Sequence, residues 1–446
     1  MKKIIVLGAG LSATILIEYL LEQSEAEDWM ITVCDFNLDL AQKKVNGHKR
    51  GNALYFNAEN EEMYAEIIKG ADVVVSLLPA RYHDKVADTC LSLGINMATA
   101  SYVSTKIKSM EKVACDKGLT FLNELGVDPG IDHMSAMRII ENIREKGGEL
   151  TSFYSYTGGL IAADSDNNPW NYKFTWNPRN VVLAGQGVSQ LKRNHKYKYI
   201  PYHKLFDRVF RMNILEFGEF EVYPNRDSLK YRKIYGLEKI PTMFRGTVRR
   251  PGFCEAWNVF VQLGCTDDTY TLEDSANMTY REFINTFLRY QVITPVEQKL
   301  CDYLDLDPEG EVMKKLEWLG IFENKPIGLD NATPAQILQK ILEEKWNLSP
   351  DDNDMIVMQH EFEYKLDNIL YQATSSMGYI GEGAERTAMA VTVGTPLAIA
   401  VKLLLTGKIT SKGILVPTIK ELYEPILDEL EAYGIHFVDK DEILDN

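Results

Sequence analysis

Residues 2–23, KKIIVLGAGLSATILIEYLLEQ, decide the fold of the amino-terminal part of the chain. A short apolar run leads into a glycine-containing turn and then into a helical pattern, and the turn reads Gly8-Ala9-Gly10-Leu11-Ser12-Ala13. In such a GxGxxA turn the first glycine permits the tight bend, and the second lets a pyrophosphate approach the helix N-terminus. The stretch therefore predicts a strand–turn–helix unit that binds a dinucleotide.

A second signal follows where the next predicted strand ends in Asp35, 25 residues after Gly10. A carboxylate at this place accepts hydrogen bonds from the ribose hydroxyls of NAD and would repel the 2′-phosphate of NADP. No basic residue follows until Lys43. The sequence therefore predicts NAD as the preferred cofactor, with NADP as the alternative. A glycine turn beside a surface aspartate is the structural alternative to dinucleotide binding.

Short apolar runs alternate with amphipathic segments as far as residue 123. The runs predicted to be strands are 4–7, 30–34, 54–56, 73–78, 95–98 and 119–122. Helical spacing between them, as at 63–68 and 86–93, predicts parallel strands with crossover helices. Residues 1–126 are therefore expected to form a doubly wound, Rossmann-type α/β domain.

The pattern changes after residue 150. Aromatic runs at 153–156, 172–176, 217–223 and 257–263 predict strands of a largely antiparallel sheet, with a glycine turn at 156–160. These signals predict an α+β domain for substrate binding and dimerisation over 127–279 and 351–394, with a helical insertion at 280–350. The helices at 395–446 are expected to pack back on the first domain. Thr395 and Pro396 are predicted to be the N-cap and first residue of a helix that ends at Gly407.

Composition limits the class of protein. The 446 residues are 45% hydrophobic and 25% charged, which is typical of a globular protein and not of fibrous or disordered chains. The formal net charge of −16 argues against nucleic acid or an anionic membrane as a partner. Six scattered cysteines without metal-ligand spacing predict free thiols in a reducing cytoplasm and no metal site. Glycines interrupt the first apolar stretch, and Pro396 and Lys402 interrupt the stretch 388–405, so both are expected to be core.

A basic region lies inside this acidic chain. Residues 192–250 hold fifteen Lys and Arg against six Asp and Glu. Such a region can concentrate a small polyanion, and arginine suits the bidentate binding of carboxylates. Arg226 and Arg249 lie beside turn signals and are therefore candidate ligand contacts. A solvated basic face is the alternative, above all for the run 192–198.

Further candidates lie where ligands of open α/β sheets bind, at the carboxyl ends of the strands. Residues 123–133 leave the last predicted strand of the domain, and Asp128 precedes a Pro-Gly turn there. Asp132 is interpreted as the N-cap of the next helix, and His133 as either an acid–base group or a packed residue. The fifth strand is followed by the hydroxyl-bearing stretch Ala100-Ser101-Tyr102, where core packing is the alternative for the tyrosine.

Several motifs in one order resemble the L-glutamate-forming saccharopine dehydrogenases, also called saccharopine reductases. They are residues 123–133, Gly158-Gly159-Leu160, Asn168-Pro169 with Tyr172-Lys173-Phe174, Pro224-Asn225-Arg226-Asp227-Ser228, Arg245-Gly246-Thr247 and the Val401-Lys402 helix. The resemblance covers nearly the whole chain. It implies a three-domain enzyme, often a homodimer, that acts on saccharopine or makes it in lysine metabolism.

The resemblance also implies site residues, motif by motif. Cofactor contacts are expected at Gly8, Ala9, Gly10, Leu11, Ser12, Val33, Cys34, Asp35, Asn57, Ala58, Leu78, Ala100, Ser101, Val127, Asp128, Pro129 and Asn177. Saccharopine contacts are expected at Ser101, Tyr102, Asp128, Arg226, Thr247, Val248 and Arg249. The chain departs from the family at Asp35, where NADP-using members carry Arg, at Asn177 in place of Ser, and at Thr157 in place of Cys.

The predicted reaction is oxidation of the secondary amine of saccharopine by hydride transfer to NAD. The imine formed is hydrolysed to L-glutamate and 2-aminoadipate 6-semialdehyde, and the reverse is a reductive condensation. Asp128 and Tyr102 are the candidate catalytic residues, with water as an alternative proton acceptor. The sequence leaves two other functions open. One is an imine reductase like carboxynorspermidine or homospermidine synthase, which the basic region disfavours, and the other is a non-catalytic NAD sensor.

Overall fold

The computed structural model describes residues 1–444, which form two compact units. The first unit comprises Met1–Glu149, Leu366–Ile369 and Glu385–Lys440. The second comprises Leu150–Lys365, Leu370–Ala384 and the described residues from Asp441 onward. The first unit thus extends past the expected boundary at residue 126, and the chain returns to it at Glu385 instead of at residue 395.

The described residues contain sixteen strands and fifteen α-helices. The strands are β1 (Lys2–Leu7), β2 (Trp29–Asp35), β3 (Gly51–Tyr55), β4 (Val73–Ser76), β5 (Asn96–Thr99), β6 (Thr120–Leu122), β7 (Glu149–Ile161), β8 (Val188–Arg193), β9 (Lys196–Pro201), β10 (Phe210–Asn213), β11 (Glu219–Pro224), β12 (Thr242–Arg249), β13 (Asp354–Leu366), β14 (Ile369–Ile380), β15 (Gly413–Leu415) and β16 (Val438–Ile443). The helices are α1 (Ala13–Gln23), α2 (Leu38–Val45), α3 (Glu61–Ile68), α4 (His83–Leu93), α5 (Thr105–Ser109), α6 (Glu111–Asp116), α7 (Ile131–Glu145), α8 (Pro178–Val182), α9 (Phe253–Leu263), α10 (Tyr280–Thr286), α11 (Val296–Leu304), α12 (Glu311–Trp318), α13 (Pro334–Trp346), α14 (Ala388–Leu405) and α15 (Lys420–Leu430).

The first unit is built on a seven-stranded sheet in the order β15-β6-β5-β4-β1-β2-β3, in which every neighbouring pair is parallel. The order of its first six strands is that of a Rossmann fold. The structure therefore confirms the predicted doubly wound sheet. Residues 4–7 of the central strand β1 and all four residues of β4 are buried and mostly apolar, as a sheet covered on both faces requires.

Helix α14 starts earlier than the sequence predicted. Its N-cap is Thr387, whose side chain accepts a hydrogen bond from the Ala390 N–H at 3.0 Å, and Pro396 lies inside the helix. The predicted start at Thr395 was therefore wrong. The Thr387 cap therefore sets the start of the helix, and Gly394 allows close packing on α1, because a Cβ there would lie 3.0 Å from the Leu16 backbone nitrogen. This helix is long and apolar enough to cross a membrane, but 72% of it is buried inside the protein.

The second unit contains a larger mixed sheet in the order β10-β11-β12-β7-β13-β14-β16, with the β8–β9 hairpin attached to β12. Strands β10, β11 and β12 run antiparallel to one another, while β12 is parallel to β7. Helices α10 to α13 occupy the predicted helical insertion. An α/β unit and an α+β unit with inserted helices are thus the observed fold, as predicted.

Three local predictions in the second unit were wrong. Residues 257–263 belong to helix α9, whose aromatic residues at 253, 257 and 260 follow helical spacing and are buried together. Residues 172–176 are irregular apart from a single bridge at Phe174. Strand β7 continues through Gly158 without a turn. Glycine is needed at this position because a Cβ would lie 2.6 Å from the Val248 carbonyl oxygen. The strands at 257–263 and 172–176 were predicted from their aromatic content, which does not distinguish strand from helix or irregular structure. The close approach of β12 explains why residue 158 is glycine.

Candidate dinucleotide and substrate sites

The glycine turn lies between β1 and α1, as the sequence predicted. Gly8 has a φ of +105°, and a Cβ at this position would lie 2.9 Å from the Leu77 carbonyl oxygen. Both its conformation and the approach of the β4 end therefore require glycine. Ala9 is fully buried, whereas Gly10 and Leu11 are exposed.

The same turn presents unused backbone donors. Within residues 1–444, the N–H groups of Gly10, Leu11 and Ser12 have no hydrogen-bond partner, and open space surrounds the Cα of Gly10. Helix α1 begins at the next residue, so its N-terminal dipole adds a positive potential at this point. These features fit the pyrophosphate of a dinucleotide.

Asp35 ends β2 next to this turn. Its Oδ2 accepts a hydrogen bond from the Ala9 N–H at 2.7 Å, and its Oδ1 accepts one from the Asn37 N–H at 2.8 Å. No Lys or Arg in the described chain forms an ion pair with it, and Lys43 is paired with Glu385 at 2.7 Å. The carboxylate is thus held in place by backbone donors while no side-chain cation neutralises it.

An aromatic pair beside Asp35 was missed in the sequence. Phe36 is 68% exposed, and its ring centroid lies 5.7 Å from that of Tyr55 at the end of β3. Exposed rings at this edge can contact the face of an adenine. In contrast, Val33 and Cys34 are fully buried in β2, so only their backbone can meet a cofactor. The sequence does show this feature, because the aromatic Phe36 directly follows Asp35, the predicted ribose contact.

The other expected cofactor residues of the first unit follow the carboxyl ends of its strands. Asn57 and Ala58 follow β3, Leu78 follows β4, and all three are half-buried. The Asn57 side chain accepts a hydrogen bond from the Glu59 N–H at 3.0 Å and so shapes the local turn. The fold therefore brings these residues to the edge where the glycine turn lies.

His83, which the sequence analysis did not select, connects two serines at this edge. It is the first residue of α4 and is 4% exposed. Its Nδ1 lies 2.9 Å from the Ser76 hydroxyl, and its Nε2 lies 2.7 Å from the Ser101 hydroxyl. Burial lowers the pKa of His83 to about 4, so the ring is neutral at neutral pH. Because a neutral imidazole donates at one nitrogen and accepts at the other, His83 donates to one of the two serine hydroxyls and accepts from the other.

Tyr102 and Asp128 meet at the same edge. Tyr102 is 44% exposed, so the core-packing alternative does not hold, and its hydroxyl lies 3.4 Å from Asp128 Oδ1. The turn that carries Asp128 is closed by a 2.8 Å hydrogen bond from the Gly126 N–H to the Pro129 carbonyl. Val127 and Pro129 are buried, whereas Asp128 is half-buried. The two candidate catalytic side chains are thus neighbours.

The interpretation of Asp132 as an N-cap was wrong. Helix α7 is capped by Gly130, and the Asp132 side chain accepts a hydrogen bond from the Gly130 N–H at 2.7 Å. His133 is completely buried, and its Nε2 lies 3.0 Å from Glu124 Oε2. Glu124 also accepts a hydrogen bond from the Val103 N–H at 3.0 Å. The structure therefore favours the packed role for His133.

The second unit carries the predicted substrate arginines. Arg249 ends β12, is 5% exposed, and lies over the rings of Tyr172, Tyr223 and Phe253 at 5.1 to 5.8 Å. One terminal nitrogen donates to the Val248 carbonyl at 2.8 Å, but its Nε is buried without a partner. Among the described residues no carboxylate forms an ion pair with it. Glu221, its buried cross-strand neighbour, contributes a favourable charge without forming an ion pair, so the unpaired Arg249 nitrogen leaves a position for a ligand carboxylate.

The remaining expected contacts in this unit differ in exposure. Arg226 is exposed on the loop after β11, Thr247 is half-buried, and Val248 is fully buried. Thr247 and Arg249 lie on the same face of β12, because alternate strand residues share a face. Asn177 caps α8 by accepting a hydrogen bond from the Arg179 N–H at 3.0 Å. This capping is its observed role, and its predicted cofactor contact stays a prediction.

Comparison with known proteins places this chain in a family. Residues 4–122 match the family model described as the saccharopine dehydrogenase NADP binding domain, and residues 126–435 match that of the saccharopine dehydrogenase C-terminal domain. The chain belongs to the saccharopine dehydrogenase family. The resemblance inferred from the motifs is thereby confirmed, and the glycine turn belongs to a nicotinamide dinucleotide-binding domain.

Individual relatives cover nearly the whole chain. Saccharopine dehydrogenase [NADP(+), L-glutamate-forming] of Schizosaccharomyces pombe is 31% identical over 100% of both chains. Alpha-aminoadipic semialdehyde synthase of Mus musculus is 33% identical over 98% of this chain, which spans only 47% of the mouse protein. A solved structure of apo saccharopine dehydrogenase (L-Glu forming) from Saccharomyces cerevisiae matches with a TM-score of 0.89 and 29% identity, covering 99% of this chain and 100% of that one.

Proposed function

We propose that this chain oxidises saccharopine to L-glutamate and 2-aminoadipate 6-semialdehyde, or runs the reverse reaction, in lysine metabolism. The observation that carries the proposal is the buried Arg249 guanidinium, which forms no ion pair among the described residues, in a chain whose relatives are named for this reaction. Saccharopine bears three carboxylates and one secondary amine. Arg249 would bind one carboxylate, and the exposed Arg226 would bind another.

The residues of the first unit would bind the cofactor and control the protonation of the substrate amine. A bound nicotinamide accepts the hydride from the carbon next to the nitrogen. Asp128 would hold the protonated amine of the bound substrate, Asp128 or water would then take the proton, and the Tyr102 hydroxyl, which donates to Asp128 at 3.4 Å, would orient this carboxylate. Ser101, held by His83 at 2.7 Å, would present a hydroxyl of fixed orientation to the ligand.

We propose NAD as the preferred cofactor, although relatives and the matching family model carry NADP in their descriptions. The support is Asp35, a carboxylate that no side-chain cation neutralises among the described residues and that two backbone N–H groups hold at the end of β2. Such a group accepts hydrogen bonds from ribose hydroxyls and repels a 2′-phosphate. NADP use is the alternative outcome of the test.

The test is an absorbance assay for the reduced nicotinamide, with saccharopine, each nucleotide and polyamine precursors. Steady turnover of saccharopine is expected, with a higher kcat/KM for NAD than for NADP. Turnover of polyamine precursors but not of saccharopine would indicate an imine reductase of the polyamine type. Binding of the nucleotide without turnover of any substrate would indicate a sensor. Equal or better use of NADP would overturn only the cofactor preference.

We also propose that the enzyme is a cytoplasmic homodimer whose partners are small molecules, not nucleic acid or membranes. A loop of the second unit exposes three apolar side chains, since Tyr290 is 92%, Val292 80% and Ile293 96% exposed. Exposed apolar groups of this kind are typical of subunit contacts. Light scattering is expected to give twice the chain mass of 50.7 kDa. Ile293→Asp should reduce the mass to that of one chain, and a monomeric wild type would contradict the proposal.

A further inference from the structure

Three side chains form a short hydrogen-bonded chain at the carboxyl edge of the parallel sheet. Ser76 is the last residue of β4, His83 begins α4, and Ser101 follows β5. The Ser76 hydroxyl lies 2.9 Å from His83 Nδ1, and the Ser101 hydroxyl lies 2.7 Å from His83 Nε2. The order of donors and acceptors along this chain decides what Ser101 can bind.

The inner end of the chain fixes this order. The Ser76 side chain is fully buried, and within residues 1–444 its hydroxyl has no hydrogen-bond partner besides the His83 ring. If Nδ1 carried the ring hydrogen, the Ser76 O–H would be a buried donor without an acceptor, which is costly and rare in folded proteins. The Ser76 hydroxyl therefore donates to His83 Nδ1.

The neutral ring passes this order to the outer end. Burial lowers the pKa of His83 to about 4, so the ring carries one hydrogen at neutral pH. Because Nδ1 accepts, that hydrogen lies on Nε2 and is donated to the Ser101 oxygen. The Ser101 hydrogen then has no acceptor in the described part of the chain, and the half-buried side chain can present it to a ligand.

Ser101 lies beside the turn that carries Asp128. Its carbonyl oxygen accepts a hydrogen bond from the Glu124 N–H at 3.1 Å, and a Cβ at Gly126 would lie 3.3 Å from the Cβ of Ala100. Asp128 is the expected contact of the substrate amine. Because saccharopine carries a carboxylate on the carbon next to this amine, a substrate held by Asp128 would bring carboxylate oxygens to the Ser101 side of the turn.

We propose that His83 is a positioning residue that makes Ser101 a hydrogen-bond donor to an acceptor oxygen of the bound ligand. In saccharopine this oxygen belongs to the carboxylate beside the amine, and in the cofactor it belongs to the nicotinamide carboxamide. Ser101 thereby discriminates against a ligand that presents an ammonium group at this point, as a polyamine does. The inference rests on the proposed function only for the identity of the substrate.

The direction of the chain is tested by ¹⁵N NMR of the full chain with labelled histidine at neutral pH. The protonated and unprotonated nitrogens of a neutral imidazole have well-separated resonances, and the signals lost in His83→Gln assign this ring. The wild type is expected to carry the hydrogen on Nε2, and Ser76→Ala should populate both tautomers. A hydrogen on Nδ1 in the wild type would overturn the proposal.

A double-mutant cycle tests what this direction does to the reaction. Ser101→Ala should lower kcat/KM for saccharopine by about tenfold or more, because a hydrogen bond to a charged oxygen is lost. Ser76→Ala should lower it by about threefold, because only a fraction of the molecules then holds the productive tautomer of His83. In a Ser101→Ala background, Ser76→Ala should have no further effect on kcat/KM.

The matched control is Ser24→Ala, at a fully buried serine of the same unit whose hydroxyl donates to the Leu21 carbonyl. It should lower the melting temperature but leave the His83 tautomer and kcat/KM unchanged. Ser76→Cys keeps a weak donor of similar size and should recover part of the activity, and it replaces Ser76→Ala in the cycle if the alanine variant does not fold. Additive effects of the Ser76 and Ser101 variants would show that Ser76 only packs, and the proposal would be wrong.

Titration with the reduced cofactor in the absence of saccharopine identifies the acceptor oxygen. Weaker binding in Ser101→Ala and Ser76→Ala would assign it to the carboxamide, whereas unchanged binding with a lower kcat/KM would assign it to the substrate carboxylate. Unchanged cofactor binding and unchanged kinetics in Ser101→Ala would overturn the proposal. A wild type that does not turn over saccharopine would contradict the proposed function instead, because the tautomer and the cofactor titration are measured without substrate.

Discussion

Asp35 in the first unit and Arg249 in the second are both charged groups at candidate ligand positions, but their surroundings are opposite. Asp35 is half-buried, and two backbone N–H groups donate to its oxygens at 2.7 and 2.8 Å. Arg249 is 5% exposed, lies between aromatic rings, and keeps one buried nitrogen without a partner. The first charge is satisfied before a ligand arrives, and the second is not.

The difference predicts how each unit depends on its ligand. The Asp35 carboxylate already accepts hydrogen bonds from the backbone, so it can discriminate between NAD and NADP while contributing little to the total binding free energy of the cofactor. A buried guanidinium that forms no ion pair is stabilised further when a ligand carboxylate binds to it. Substrate affinity should therefore depend more on Arg249 than cofactor affinity depends on Asp35.

The largest effect is expected from Arg249→Met. Removing the guanidinium leaves a substrate carboxylate buried and unpaired. The transition-state stabilisation calculated from kcat/KM for saccharopine should therefore fall by about 2–5 kcal/mol. The melting temperature should stay near that of the wild type, because the variant also removes a buried unpaired charge. Steady-state kinetics and thermal melting measure the two effects.

Two arginines serve as references for this experiment. Arg211→Met changes an exposed arginine paired with Glu219 at 3.1 Å and should leave kcat/KM unchanged. Arg226→Met should cost less than Arg249→Met, because solvent screens an exposed guanidinium. Unaltered kinetics in a folded Arg249→Met enzyme would show that Arg249 is only a core residue. The proposed difference between Arg249 and Asp35 would then be wrong.

The next effect concerns His83 and the stability of the first unit. Its pKa falls from the usual 6.5 to about 4 on folding, so between these values the unfolded chain binds more protons than the folded one. Stability contributed by the neutral ring is complete above pH 6.5 and is lost as the pH falls towards 4. The full loss is about 3 kcal/mol.

Urea unfolding from pH 7.5 to 4.5 measures this dependence. The wild type should lose stability more steeply than His83→Gln as the pH falls, since the variant has no ring to protonate. His436→Gln, at an exposed histidine of the same unit, should behave like the wild type. Identical slopes for the wild type and His83→Gln would show that this histidine is not held neutral.

Local patterns predicted the edge around Asp35 well. The strand, the glycines and the helix at residues 2–23 are adjacent in sequence, and each depends on its neighbours. Tertiary contacts decided what the sequence did not predict. His83 is distant in sequence from Ser101 and is joined to it only when α4 packs beside β5.

The second unit shows the same limit more strongly. Its aromatic residues at 257–263 suggested a strand, but helical spacing buries them in α9. The motif that contains Arg249 was selected for its charge and resemblance, whereas its burial over three rings depends on residues from distant segments. Sequence therefore indicated candidate site residues, and packing determined which of their charges form no ion pair.

A smaller effect is expected from Asp35→Asn. The amide keeps one acceptor for the backbone but removes the charge that repels a 2′-phosphate. The preference for NAD over NADP in kcat/KM should fall by about 2 kcal/mol, a factor of about 30. A large fall in melting temperature without a change in preference would show that Asp35 mainly holds the glycine turn.

The smallest effect is expected from Asp128→Asn, which tests whether a half-buried carboxylate beside Tyr102 acts on the substrate amine. The substitution keeps the size of the side chain, and the backbone hydrogen bond that closes the turn does not involve it. Turnover of saccharopine should therefore fall about tenfold, or about 1.4 kcal/mol, with normal NAD binding and melting. Asp116→Asn, at an exposed aspartate of α6, is the control. Because the lost group is a charge near an amine, the deficit should vary with pH in kcat/KM, whereas a structural defect would lower activity equally at every pH.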